Sequence, residues 1–282
     1  ATPFEERRAF YLATAGEFKE AEAIYSRLLS ERRITGDVNL AKANLAYGYV
    51  LLKLGREAEA RGRLLTALKF SEKLRPLKAS KERLVDFEPL RIEIVGYGLL
   101  AQTGSPEDRL SALRARLDRL EKSRNLVANW MEARIQIHNQ IAEIESVRGE
   151  SARAAEEMRE ALRLTSEFGE TGQYIGKLVY RTAANFLAHA VLYPDVYKQD
   201  DVERVSGFVD NCIAAYEAQK VSDPVLDMQN LKLRILLEGM RAKILKVPAK
   251  PGEHLRSSVG TRLKAERPDL FHQVSTLAAA LE

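Results

Sequence analysis

Apolar residues recur at helical spacing along almost the whole chain. In residues 18–30, Ala21, Ile24, Tyr25, Leu28 and Leu29 fall on one stripe, the i, i+3, i+4, i+7 pattern of an amphipathic helix. Alternating strand patterns are scarce. Short breaks containing Gly, Asp, Ser or Pro separate the helical stretches. Ser105-Pro106-Glu107-Asp108 predicts a helix start: a serine cap, a proline at the first helical position and an acid three residues after the cap. Asp223-Pro224 repeats the cap-then-proline logic, and Thr35-Gly36-Asp37 and Gly149-Glu150-Ser151 predict helix–helix turns. After residue 170 the pattern predicts a long helix from Gly172 to Leu192, interrupted at Tyr193-Pro194-Asp195. A helix capped by Asp200-Asp201 follows over 201–220, then another over 224–245. Val247 to Gly252 predicts a loop, and the remainder, broken near Pro268, a capping element.

The breaks are not independent of one another. Gly16, Gly55 and Gly149 each stand between two helical stretches, and each is followed five residues later by alanine: Ala21, Ala60 and Ala154. A larger apolar residue comes four further on (Tyr25, Leu64, Met158), and Leu28, Ala67 and Ala161 three after that. Seven residues before each glycine lies a small residue, Ala9, Gly48 or Ala142. Gly104 heads a degenerate copy with Leu110 in the alanine place. Small residues let antiparallel helices approach to about 8–10 Å, and a turn glycine takes positive φ cheaply and ends the first helix.

This pattern resembles the tetratricopeptide repeat (TPR) family, in a degenerate, long-repeat form. The matching residues are Ala9, Gly16, Phe18, Ala21 and Tyr25; Gly48, Gly55, Ala60, Leu64 and Ala67; and Ala142, Gly149, Ala154, Met158 and Ala161. The turn glycines lie 39, 49 and 45 residues apart, whereas the family usually repeats at 34. No Trp takes the early place on the first helix, and the proline after the second helix is mostly missing. The resemblance implies an all-α, right-handed α-solenoid of TPR-like antiparallel helix pairs with a C-terminal capping helix. The chain is expected to form one such solenoid over 1–282. Its parts are repeats 1–2 in 1–75, a degenerate repeat in 76–124, a clear repeat in 125–170, degenerate repeats in 171–245, and a loop and cap in 246–282.

Composition narrows the work such a fold performs. The 282 residues are 45% hydrophobic and 30% charged, with a net charge of +4. That is ample for a folded core. Cys212 is the one cysteine, so no intramolecular disulfide or paired-cysteine metal site forms. No apolar run reaches the roughly 18 residues of a membrane span. Residues 1–80 carry 15 basic and 10 acidic residues, 81–170 carry 14 and 17, and 171–282 carry 15 and 13. This patchy field lacks a basic stripe backed by stacking aromatics, so nucleic acid is not the expected partner. The chain starts Ala1-Thr2-Pro3, which suits a signal-cleaved mature terminus, a trimmed initiator or a boundary within a longer chain.

Motifs for chemistry are absent. His138, His189, His254 and His272 show no HExxH or HxH spacing, and no phosphate loop, GxSxG or strand-borne GxGxxG occurs. Cys212 in Asn211-Cys212-Ile213-Ala214-Ala215 fits a core helix. The pairs Glu143 with Glu145 and Asp200 with Asp201 are read as solvated faces or caps. Arg114, Arg116, Arg119 and Arg124, with Leu110, Leu113, Leu117 and Leu120 between them, are read as a packed helix with basic outer residues. Lys246 to His254 is read as an exposed connector. No catalytic residue, metal or cofactor is expected.

The resemblance places a partner on the inner surface lined by the first helix of each pair. The residues it puts there are Phe10, Tyr49, Leu52 and Lys53, then Gln136, Asn139 and Glu143, then Arg181, Asn185 and His189. Asn, Gln and Arg can bond an extended peptide backbone, and Tyr49 and Phe10 can pack its side chains. The lysine–asparagine–arginine clamp with which some members hold a C-terminal carboxylate is not reproduced, because its places hold Glu6, Phe10, Ala46, Ile92 and Gly96. The expected function is a non-enzymatic scaffold or adaptor binding a protein or peptide. The alternatives are a sensor domain for a small ligand or signalling peptide, and self-assembly as a homo-oligomer through Val274, Leu277, Ala278 and Leu281. An open groove marks the scaffold, and a deep enclosed pocket the sensor.

Overall fold

A computed structural model describes residues 2–74, 87–123, 129–170, 177–218 and 223–281. Among these residues the fold is all-α, with no strand. Packing divides the chain into two compact units, Ala1–Trp130 and Met131–Glu282.

The first unit stacks antiparallel helix pairs: α1 (Thr2–Ala15) with α2 (Phe18–Ser30), α3 (Asp37–Lys53) with α4 (Glu57–Lys73), and α5 (Phe87–Leu100) with α6 (Pro106–Glu121). The first helix of each pair meets the first helix of the next, since α3 touches both α1 and α5. The second unit contains α7 (Trp130–Val147) from Met131 on, α8 (Ser151–Glu170), α9 (Lys177–Leu192), α10 (Gln199–Ala218) and α11 (Pro224–Leu245). It ends with the short α12 (Pro251–Leu255), α13 (Ser258–Glu266) and α14 (Pro268–Leu281).

The repeat residues do what their size predicts. Ala9, Ala21, Ala60, Ala67, Ala142, Ala154 and Ala161 are all fully buried. A Cβ on Gly48 would come 2.7 Å from a Leu64 methyl, so the glycine is what lets α3 and α4 close on each other. The pair turns are one motif written three times. Gly16, Gly55 and Gly149 sit at φ of +86°, +74° and +80°. The N–H of the residue after each glycine reaches back across the turn, Glu17 to the carbonyl of Leu12, Arg56 to Leu51 and Glu150 to Glu145, each at 2.9 Å. These are Schellman closures, which satisfy last-turn carbonyls while reversing the chain. The expected capping box at Ser105 and Asp108 forms in both directions, and Asp223 caps α11 through Val225 N–H at 2.8 Å.

The core of the second unit gathers Met158, Leu162, Phe186, Leu187, Val205, Val209, Leu236 and Met240 from α8 to α11. Each such side chain contributes roughly 1.5–3 kcal/mol by leaving water. Cys212 is buried as read, and burial pushes its thiol up to about 12.

Several local expectations change. Helix α10 begins at Gln199 rather than 201, because Asp201 turns back and accepts the Lys198 N–H at 2.9 Å, three residues inside the helix. The loop over Val247–Gly252 gives way at Pro251 to α12, where proline suits a first helical position. The arginines of α6 do not all face outward. Arg119 pairs with the buried Glu93 of α5, and Arg116 packs against Gly98 with its pKa lowered by burial. Arg124 and most of the Gly172–Lys177 stretch lie outside the described residues. The apolar tail is used inside the chain. Val274 and Ala278 are buried, and Leu277 and Leu281 pack with them against α11. Among the described residues no helix is long and apolar enough to cross a membrane.

Candidate functional site

One groove within the second unit lies along α9, α11 and α14. It has a volume of about 440 Å³ and is open on one side. Helix α9 supplies Lys177, Tyr180, Arg181, Ala184 and Asn185, which the i, i+3, i+4 spacing brings onto one face. Helix α11 supplies Met228, Gln229, Lys232 and Leu233, and α14 closes the trough with Gln273, Val274 and Leu277. The floor is apolar and the rims are polar, the usual build of a binding cleft.

The local sequence explains why the groove exists. Its walls are held by close packing between helices. At Gly239 a Cβ would meet Leu281 of α14 at 2.9 Å and Val191 of α9 at 3.3 Å, so a missing side chain on α11 seats both neighbours. Two polar atoms on groove-lining residues are buried without a partner among the described residues, the Tyr180 hydroxyl and Gln229 Oε1. Burial raises the Tyr180 pKa to about 12, so it remains a neutral donor at physiological pH.

The inner-face residues read from the sequence separate into four groups. Arg181 and Asn185 line this groove. Asn139 and His189 are buried and bonded internally. Asn139 Nδ2 donates to the Ile135 carbonyl at 3.0 Å and to Thr182 Oγ1 at 2.9 Å, which ties α7 to α9. His189 Nδ1 lies 2.9 Å from the Tyr197 hydroxyl, and burial lowers its pKa. Gln136 and Glu143 are exposed on α7, with Gln136 bonded to Glu132 at 3.2 Å. In the first unit, Phe10 is exposed against the edge of Tyr11. Tyr49 and Leu52 are half-buried at the edge of the core, and Lys53 Nζ stands 5.5 Å over the Tyr49 ring.

Sequence reasoning missed the α11 and α14 walls, including Gln229, Lys232 and Gln273. Their signal was present in part, since 228–229 and 232–233 are one helical turn apart, but nothing in the pattern showed which face of α11 lay beside α9.

Two further concavities among the described residues are of comparable size. One, of about 490 Å³, lies between α10, α11 and the α12–α13 turn. Its charges are largely engaged: Arg262 makes a bidentate pair with the buried Asp227 at 2.7–3.0 Å, and Arg234 stands 3.7 Å from Glu217. The other is a shallow face of α1 with Phe4, Arg7, Arg8 and Tyr11. The acidic pairs form no site. Glu145 is buried and paired with Arg148 while Glu143 faces solvent, and Asp201 is buried on Arg159 while Asp200 is exposed. Among the described residues no group of three or more His, Cys, Asp or Glu side chains is placed to hold a metal.

No protein-family model matches the chain, and no curated protein is similar to it in sequence. Solved structures are similar to it in fold. The apo form of RapI superposes with a TM-score of 0.55 at 13% identity, over 99% of this chain and 97% of that one. A Rap protein complexed with competence and sporulation factor aligns at 0.46 and 14% identity, over 99% of this chain and 70% of that one. NprR in complex with its cognate peptide NprX aligns at 0.33 and 12%, over 99% and 86%. The likeness to RapI extends over nearly the full length of both chains, and what it shows is a shared helical-repeat fold.

Proposed function

We propose that this chain is a tetratricopeptide-type helical-repeat protein that binds a short peptide in the groove of α9, α11 and α14. The observation that carries the reading is the groove itself, an apolar trough rimmed by amide and cationic groups with no partner among the described residues. Arg181, Asn185, Lys232 and Gln273 make no hydrogen bond or ion pair with any described residue. Such groups cost little while they face water, and they are free to bond the backbone of an extended chain. The apolar floor of Ala184, Met228, Leu233 and Val274 offers seats for its side chains. A volume of about 440 Å³ suits a few residues rather than a folded domain.

In this reading Arg181 and Asn185 touch the peptide, while Asn139 and His189 support the groove from beneath. Asn139 does so through Thr182 and His189 through Tyr197. An adaptor and a peptide sensor would share this groove. The openness of the trough favours recognition of an extended segment over enclosure of a small metabolite.

The test is retention of a random seven-residue peptide library by the full chain and by Ala184→Trp, which puts a large ring into the trough. Peptides should be retained by the wild type, and retention should fall at least tenfold in the variant, with Asn185→Ala giving a smaller loss and both melting like wild type. Equal retention by wild type and Ala184→Trp would move the site elsewhere.

A further inference from the structure

Most described arginines of the second unit are neutralised in pairs. Arg159 is bidentate on Asp201, Arg262 on Asp227, and Arg163 holds Glu160 and Glu167. Arg181 of the groove departs from this habit. Lys177, Arg181 and Lys232 all line the groove, none is paired with a described residue, and no carboxylate of a described residue lines it. Lys177 and Arg181 stand on α9 and Lys232 stands opposite on α11, so the cations flank the trough from two sides.

We infer that the groove selects acidic peptides, specifically extended segments with Asp or Glu at alternate positions. This rests on the peptide reading above and adds the class of peptide. Lys177 and Arg181 are four residues apart on one helix, so their attachment points are separated by about 6 Å along the axis. In an extended chain residues i and i+2 are about 6.6 Å apart and point to the same side. A strand laid along α9 therefore presents alternate carboxylates to successive cations and turns the intervening side chains to the floor. Lys232 meets the acid nearest α11. Arg181 can take a carboxylate bidentately, which fixes register as well as charge. The amides of Gln229 and Gln273 carry no charge and leave this selection to the three cations.

The experiment compares three pools of seven-residue, C-terminally amidated peptides by equilibrium retention on the full chain. All share random apolar residues at even positions. The odd positions are Asp or Glu in one pool, Asn or Gln in the second, and Lys or Arg in the third. Amidation removes the terminal carboxylate as a competing source of negative charge. The acidic pool should be retained at least tenfold more than the neutral one at about 50 mM salt. The preference should shrink toward unity near 1 M, where the screening length is about 3 Å. Arg181→Glu combined with Lys232→Glu changes two exposed residues and should invert the order in favour of the basic pool. Equal retention of acidic and neutral pools, with loss of both in Ala184→Trp, overturns the charge assignment and leaves the peptide reading standing. Retention of no pool, or equal competition by a short oligothymidylate, overturns both.

Discussion

The glycines separate two roles that a sequence writes with one letter. Gly149 holds φ at +80° and a Cβ there would touch nothing, so substitution costs backbone strain alone. Gly62 lies inside α4, exposed, with equally open space around it and an ordinary helical φ. Gly149→Ala should therefore lower stability by about 1–2 kcal/mol, while Gly62→Ala should raise it by about 0.5–1 kcal/mol. Urea unfolding of the two variants checks the sign of each, and a loss in both would contradict the account. The role of Gly149 was legible in the chain because it recurs in register with Gly16 and Gly55. The fates of Arg116 and Arg119 were not. Whether an arginine on a helix faces water or a buried carboxylate such as Glu93 depends on a neighbouring helix, which periodicity does not specify.

Elements are joined by buried polar links as well as by apolar packing. Arg159 of α8 binds Asp201 of α10 at 2.9 Å and the Val196 carbonyl at 2.7 Å, and its guanidinium covers the Tyr197 ring. Burial pushes the Asp201 carboxyl up, but hydrogen bonds from Arg159 and the Lys198 N–H outweigh it, and its pKa lies below the ordinary 3.8. A carboxyl depressed on folding stabilises fully above its unfolded pKa and loses that contribution as pH falls through the folded one. Asp201→Asn should thus be less stable than wild type by about 2 kcal/mol near neutrality. Chemical denaturation at pH 7 and along a series below pH 4 should show the gap closing toward acid. A gap that stays constant across the series would remove the ion pair as its cause. The helix pairs themselves were legible, because small residues, turn glycines and the Ser105 box act locally. The start of α10 was not, since Asp201 caps from inside the helix and its place is fixed by Arg159, 42 residues earlier.

Over the whole molecule, the sequence pattern implied stacked pairs, and helices of that kind build both units. The likeness to RapI agrees at the level of fold. The groove was half legible. Register transfer reached Arg181 and Asn185 on α9, but it also selected Asn139 and His189, which pack inward. The α11 and α14 walls depend on how the last helices return onto the unit, and the chain's periodicity blurs after residue 170. Charge shows a similar division. The near-balance of 44 basic and 40 acidic residues hides a local surplus, because most of the second unit's described arginines are neutralised and three groove cations have no partner among the described residues.

The central claim is that a peptide lies between α9, α11 and α14. Hydrogen–deuterium exchange of the full chain, with and without saturating peptide from the acidic pool, tests it most directly. The account predicts slowed exchange in Lys177–Leu192, Pro224–Leu245 and Pro268–Leu281, with α1 to α4 unchanged. Protection confined to α1 and α3, around Phe10 and Tyr49, would contradict it and place the binding surface in the first unit.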